Sequence, residues 1–350
     1  MKSFSAKTLF IAVNVSFILG MFAHKLFFST SSENKQENKI IALDKTNKIA
    51  KQSPKKQVVK KVVKKVIKPK KKPLDFSKAI AGTIPELPLS KIPSTGILVD
   101  ANTNKVLWAK NPTKSVPIAS MTKMMTMLLA VEAVKNKSNS ITFETPVKVT
   151  REAFKIGGSQ VYLDPKETFP LHELLKAVAI KSANDAAYLV GQFLGHGDVN
   201  TFVYQMNKKA KELGMKHTHF TNPHGLPEKQ AKDDNVSAPV DLVILAEELL
   251  KHPEIMELTS TYRDKFRNGK FDLQNSNHLL EKNKYGGVTG VDGLKTGYIR
   301  RAGFCITASC LRNKRRIIAV VTGFKDASSS KRSKRDTFVK QLLEWGYQQK

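Results

Sequence analysis

The spacing of β-rich and helical stretches constrains this chain more than any other feature. Two β-rich runs, Thr95-Gly96-Ile97-Leu98-Val99-Asp100 and Lys105-Val106-Leu107-Trp108-Ala109, flank Ala101-Asn102-Thr103-Asn104, which has turn chemistry, so they read as a hairpin. Three further β-rich runs, residues 293–298, 303–308 and 317–324, come almost two hundred residues later and read as neighbouring strands of one sheet. The interval between is helical in pattern. One helix follows the hairpin and reaches about residue 134, and others are expected over residues 171–180, 185–194, 200–213 (closed by Gly214) and 239–250. A last helix over 337–347 carries Phe338, Leu342, Leu343 and Trp345. Strands, helices, strands and a final helix imply an α+β fold: an antiparallel sheet flanked by helices, with a mainly helical subdomain inserted between its strands. No further domain or C-terminal anchor is expected after residue 347.

The first 78 residues are of another kind. Met1-Lys2 and Lys7 precede an apolar run from Leu9 to Ala23, broken only by Asn14 and Ser16, and Leu26-Phe27-Phe28 follow His24-Lys25. A basic start and an apolar core of this length describe an export signal. Counting on to Phe28 reaches the roughly 20 residues that a membrane span needs, and Ser29-Thr30-Ser31 is a weak cleavage site. Residues 1–28 are therefore expected to be a signal anchor, with a cleaved signal peptide as the alternative. Residues 29–78 are expected to be a Lys-rich, disordered tether, containing Val58-Val59-Lys60-Lys61-Val62-Val63-Lys64-Lys65 and Lys70-Lys71-Lys72. Such a run reads as a solvated, self-repelling spacer or as a basic amphipathic segment lying on anionic lipid or another envelope polyanion.

The chain carries 59 Lys and Arg against 30 Asp and Glu, a formal charge of +29. Nucleic acid is not expected as the partner for that charge, because the export signal places the tether outside the cytoplasm and no aromatic residues interleave it for base stacking. Of the two cysteines, Cys305 and Cys310 lie five residues apart in a strand, so alternation puts them on opposite faces and beyond disulfide reach. The eight histidines show no HExxH or paired-ligand spacing, and neither a metal nor another cofactor is expected.

Ile118-Ala119-Ser120-Met121-Thr122-Lys123-Met124-Met125 reads as the first turn of the helix after Pro117. Positions i and i+3 share a helix face, so Lys123 stands within hydrogen-bond reach of Ser120, as an activated serine requires. Ser-x-x-Lys alone is a common coincidence. Two more motifs follow in order: Ser182-Ala183-Asn184 between two helices, and Lys295-Thr296-Gly297 opening a strand. S-x-x-K, S-x-N and K-T-G in that order mark penicillin-recognising serine enzymes. With Gly96-Ile97-Leu98-Val99-Asp100-Ala101, Gly157-Gly158-Ser159, Thr221-Asn222-Pro223-His224-Gly225-Leu226 and Gly293-Leu294-Lys295-Thr296-Gly297, the chain resembles the low-molecular-weight penicillin-binding proteins that act as D-alanyl-D-alanine carboxypeptidases. The likeness covers roughly residues 80 to 347.

That resemblance implies a β-lactamase/transpeptidase-like catalytic domain over residues 79–350, exported to the bacterial cell envelope, in the periplasm or on the extracytoplasmic face of the inner membrane. It implies peptidoglycan stem peptides as substrate and β-lactams as covalent inhibitors, with the membrane engaged through the N-terminal segment. Ser120 would attack the penultimate D-alanine carbonyl, Lys123 would serve as base, and Ser182 would relay a proton to the leaving nitrogen. Asn184, Lys295, Thr296 and Gly297 would bind substrate, and the backbone amides of Ser120 and Tyr298 would form the oxyanion hole. Arg335, by its place before the last helix, resembles the arginine that pairs with the terminal carboxylate. Gly157-Gly158-Ser159 looks like a cleft-wall loop. One departure is Ala183, where the family commonly has glycine; it matters only if the backbone there needs positive φ. A D,D-endopeptidase is the main alternative, supported by Asn275-Ser276-Asn277-His278-Leu279-Leu280. A class A β-lactamase would need a Glu-bearing loop to position water, and residues 140–190 contain no Glu-x-x-Leu-Asn element. A non-catalytic envelope-binding protein would not need all three motifs intact.

Overall fold

Alternation along the central strands sets where the core lies. The computed structural model describes residues 73–84, 93–284, 286–324 and 331–349; the expected signal segment 1–28 and residues 29–72 of the expected tether lie outside them. Six strands form the main sheet: β1 (Ile80–Ala81), β2 (Thr95–Asp100), β3 (Lys105–Lys110), β4 (Val291–Ile299), β5 (Gly303–Arg312) and β6 (Arg315–Phe324). Their order is β1-β3-β2-β6-β5-β4, antiparallel throughout except for the parallel β1–β3 pair. Ile97, Val99, Cys305, Ile318 and Val320 enter one core, while Leu98, Ile306, Cys310, Ile317, Ala319 and Val321 enter the other. A sheet covered on both faces explains why these strands are continuously apolar although antiparallel. The two cysteines fall on opposite faces, both buried and free.

Among the described residues, besides the single helical turn Arg151–Phe154, seven longer helices cover the sheet or build the insertion: α1 (Lys123–Lys135), α2 (Leu171–Lys176), α3 (Asn184–Leu194), α4 (Val199–Leu213), α5 (Pro239–Leu249), α6 (Pro253–Ser260) and α7 (Lys331–Gln348). α7 lays Phe338, Val339, Leu342, Leu343 and Trp345 on the second core, with the Phe338 ring 5.8 Å from that of Trp108. The first core takes Met121, Met124, Met125, Met127 and Leu128, along with apolar residues of α2 to α6. Local chemistry fixes the helix ends. The Asp198 carboxylate accepts from the Asn200 and Thr201 amides at the start of α4, Gly214 closes it with φ 81°, and Pro239 opens α5.

The structure departs from the sequence expectations in several places, among them the last helix, which begins at Lys331 and so contains Arg335. Ser120 lies not in the α-helix but in a 3-10 turn, Ala119–Thr122, which leads into α1 at Lys123. The run expected as one helix over 171–180 divides into α2 and a π-helical turn, Ala177–Lys181. α6 was not anticipated, nor were three two-stranded ribbons: Val116–Pro117 with Val236–Ser237, Pro146–Lys148 with Thr168–Pro170, and Arg263–Phe266 with Phe271–Gln274. Strands of two to four residues are too short for alternation to announce them. Finally, the fold begins before the expected boundary at residue 79. The Asp75 amide donates to the Asn104 carbonyl at 2.8 Å, and the Val106 amide donates to the Asp75 carbonyl at 2.7 Å. Residues 73–78 thus run beside β3. Among the described residues no helix is long and apolar enough to cross a membrane.

Candidate active site

Lys123 is the centre of the site. Its side chain is fully buried, and Nζ lies 3.0 Å from Ser120 Oγ, 2.7 Å from Asn184 Oδ1 and 2.6 Å from the His224 carbonyl oxygen. The Asn184 orientation is fixed, because its Nδ2 donates to the Gly157 carbonyl at 2.8 Å. Hydrogen-bond capacity accommodates a neutral amine as well as an ammonium, because the Ser120 hydroxyl can donate or accept. A neutral amine has two N–H bonds and one lone pair, and carbonyl oxygens can only accept. In that form Asn184 and His224 take both N–H bonds, which leaves the lone pair facing a hydroxyl able to donate. That is the arrangement of a base ready to take the serine proton.

Electrostatics favour the neutral state. Burial pushes the Lys123 pKa well below the usual lysine range and the Lys295 cation adds to that shift, while Asp185 opposes both. Burial, followed by the nearby Arg335 guanidinium, brings the Lys295 pKa down to about 7. His224, buried and beside Lys123, is pushed down to about 3 and stays neutral. The Tyr188 ring stacks on it at 6.2 Å.

Two backbone positions near these groups are strained. Ala119, just before Ser120, has φ 49°, and Ser182 has φ 63°, a left-handed conformation that closes the π-helical turn. Ala183 is extended at φ −61°, ψ 126°, so the positive φ falls on the serine and alanine fits where glycine is common. The Gly157-Gly158-Ser159 loop is tied to this turn: the Asn184 amide donates to the Ser159 carbonyl at 2.7 Å, and Ser159 Oγ donates to the Lys181 carbonyl at 2.9 Å. Gly158 has φ 78°, and a Cβ there would stand 2.6 Å from Asn184 Nδ2. Asp185 reinforces the wall by accepting from the Val161 and Leu163 amides.

Facing the serine is β4, the last strand of the sheet, with its outer edge open. Lys295 and Thr296 are buried, and Tyr298 is half exposed with its ring 4.4 Å from Phe304. A Cβ on Gly297 would lie 2.8 Å from the Ile118 carbonyl oxygen and 3.1 Å from the Ser120 amide nitrogen. Glycine there lets the strand backbone pass against the turn that carries the serine. Thr296 Oγ1 is 2.6 Å from Ser276 Oγ, and Asn277 Nδ2 donates to the Gly293 carbonyl, so the Asn275-Ser276-Asn277 turn is fastened to β4.

Ser120, Lys123 and Asn184 are in hydrogen-bond contact, Gly297 lies against the Ser120 turn and Lys295 is near enough to lower the Lys123 pKa; Ser182, Thr296 and Tyr298 adjoin them in the chain. Arg335 lies inside α7 and close to Lys295. It is 2% exposed, with Nη1 donating to the Cys305 carbonyl at 3.1 Å and its other donors turned to Asp336. Cys305 pairs with Gly297 across β4 and β5, so the guanidinium is anchored to the strand next to β4 and to its own neighbour. It acts on the site as a charge near Lys295. His224, Asn222, Asn235 and Ser276 received no role from sequence, although Asn-Pro-His-Gly is a turn signal in its own right. Among the described residues, Glu132, Glu248 and His252 could converge on a metal ion, but Lys209 and Lys251 hold the two carboxylates at 2.7 and 2.5 Å.

The family description D-alanyl-D-alanine carboxypeptidase matches residues 88–326. The chain belongs to that family. Within the family, it is 41% identical over 258 residues to the D-alanyl-D-alanine carboxypeptidase DacF of Bacillus subtilis, covering 73% of this chain and 62% of that one. It is 30% identical to a D-alanyl-D-alanine endopeptidase of Haemophilus influenzae, covering 71% of this chain and 80% of that one. The chain therefore spans under two thirds of the Bacillus carboxypeptidase and rather more of the endopeptidase. Among solved structures, penicillin-binding protein D2 of Listeria monocytogenes in its ampicillin-bound form superposes with a TM-score of 0.64 at 29% identity, over 75% of this chain and all of that one. Penicillin-binding protein 5 of Haemophilus influenzae gives 0.66 at 30%, over 75% of this chain and 72% of that one.

Proposed function

We propose that this protein is a serine D-alanyl-D-alanine carboxypeptidase that removes the terminal D-Ala from peptidoglycan stem peptides and is inhibited by β-lactams. The observation that carries the proposal is the buried Lys123 amine held between two carbonyl acceptors and 3.0 Å from Ser120 Oγ, opposite the open edge of β4. In this mechanism the substrate lies along β4 as an added strand. Lys123 takes the Ser120 proton as Oγ bonds to the carbonyl carbon of the penultimate residue. The Ser120 and Tyr298 amides hold the oxyanion, a contribution usually of 10²–10³ in rate per donor. Ser182 passes the proton to the departing D-Ala nitrogen, and water later releases the acyl group by the same route in reverse. Lys295 as a cation and the Thr296 hydroxyl receive the terminal carboxylate.

A second reading, D,D-endopeptidase, is favoured by the turn at Asn275-Ser276-Asn277 on β4 and by the likeness to the Haemophilus endopeptidase. Mass spectrometry of products from purified peptidoglycan separates the two. The proposal expects free D-Ala with cross-linked dimers intact; loss of dimers without free D-Ala overturns it in favour of the endopeptidase. The same proposal places the domain outside the cytoplasm, held at the membrane by residues 1–28 through the Lys-rich tether.

A further inference from the structure

The second acceptor of the Lys123 amine is a main-chain carbonyl in a loop, and something must hold that loop. The His224 amide and the Gly225 amide donate to Asn222 Oδ1 at 3.2 and 2.6 Å, and Thr126 Oγ1 donates to the Pro223 carbonyl at 2.7 Å. Behind Asn222 stands Asn235, which is 2% exposed. Its Oδ1 accepts from the Thr221 amide at 2.5 Å, the Thr221 hydroxyl at 2.9 Å and the Asn222 amide at 3.1 Å. Its Nδ2 lies 2.9 Å from the Asn222 carbonyl, 3.1 Å from Asn222 Oδ1 and 2.9 Å from Thr122 Oγ1. The Asn235 carbonyl in turn accepts from the Ile118 amide at 3.1 Å. One buried residue thus joins the turn bearing Ser120 and Lys123 to the loop bearing the lysine's acceptor.

We infer that Asn235 is a positioning residue for the reaction: through Thr122 on one side and Asn222 on the other, it fixes the His224 carbonyl relative to Lys123 and so aims the amine's lone pair at Ser120. The inference rests on the reading of Ser120 and Lys123 as nucleophile and base. An amide is required there, because three backbone or hydroxyl donors and three oxygen acceptors meet at a single side chain, and aspartate would offer no donor. Without it the His224 carbonyl drifts, an N–H of Lys123 loses its partner, and water reaches the amine. The charged or titrating groups around Lys123 are Lys295 on β4, Asp185 at the start of α3 and His224 itself.

The test measures the second-order acylation rate of the full chain by a fluorescent penicillin across pH 5–9, with thermal unfolding alongside. Asn235→Ala is expected to slow acylation about 10²-fold, as for a misplacement of about 1 Å. It should also move the acidic limb, where Lys123 gains its proton, upward by about one pH unit as the amine becomes hydrated. Thr122→Val, a near-isosteric change, should move the limb in the same direction, and the double variant should add little to either single one. Asn207 is the comparison, since its Oδ1 accepts from the Phe220 amide and its Nδ2 donates to the Phe220 carbonyl, anchoring the same loop without touching Thr122. Asn207→Ala should lower the melting temperature and leave the limb in place. An unmoved limb in both Asn235→Ala and Thr122→Val, with acylation still dependent on Ser120, overturns the positioning role alone. Acylation of the wild type that survives Ser120→Ala overturns the underlying reading.

Discussion

At the scale of single residues, the site is a set of buried amines kept short of protons. Lys295 shows the consequence for stability. In the unfolded chain its amine holds its proton to about 10.5, whereas in the folded protein it releases it near 7. Below pH 7 both states are charged and the full penalty of burying the cation is present; the penalty fades as pH rises toward the unfolded value. Lys295→Met should therefore raise the melting temperature, and by more at pH 6 than at pH 9, while removing carboxylate-dependent turnover. A melting temperature that falls equally at both pH values would mark a structural lysine. Activity and stability pull in opposite directions at this residue, as is common at catalytic sites. Arg335, anchored on the Cys305 carbonyl, repels the proton on Lys295.

At the scale of elements, the chemistry depends on turns that are held from outside. The Gly157-Gly158-Ser159 loop carries no reacting atom, yet it fixes Asn184, one of the two carbonyl partners of Lys123. Gly158→Ala forces a Cβ into the Asn184 amide at a backbone conformation that alanine disfavours, which costs on the order of 1 kcal/mol in the backbone alone. Acylation by penicillin is expected to fall at least tenfold while the far-ultraviolet circular dichroism is unchanged; wild-type acylation would mean that Asn184 needs no such support. The parts of the fold visible in sequence were those with a repeated signal. The strands at 95–110 and 291–324 alternate between two buried faces, and α4 has an acidic cap and a closing glycine. The three motifs were legible because each joins reactive side chains at short range. What stayed hidden was long-range: the His224 carbonyl meets Lys123 across 101 residues, and Asn235 meets Thr122 across 113. A carbonyl oxygen leaves no trace in residue identity, so no spacing announces it. The acceptors of Arg335 were hidden for the same reason, since sequence position says nothing about where a guanidinium finds its partners.

At the scale of the whole molecule, the sheet is arranged so that one edge remains available. β1 is the other end of the sheet and lies beside β3, while β4 presents Lys295 to Tyr298 next to the turn of Ser120. α7 and the central strands close the far face, while the turn bearing Ser120 is rooted in the first core through Ile118, Ala119 and Met121. An open strand edge would ordinarily invite aggregation; here it is proposed to be the groove in which the stem peptide completes the sheet. The proposed export segment and tether would then carry a rigid catalytic domain to the polymer it trims. All of this depends on Ser120 becoming covalently bound through its hydroxyl. The most direct measurement is peptide mass spectrometry after brief exposure of the full chain to a penicillin. The expected result is one penicilloyl adduct on the peptide containing Ser120, absent from Ser120→Ala; an adduct on another residue, or one that persists in that variant, contradicts the account.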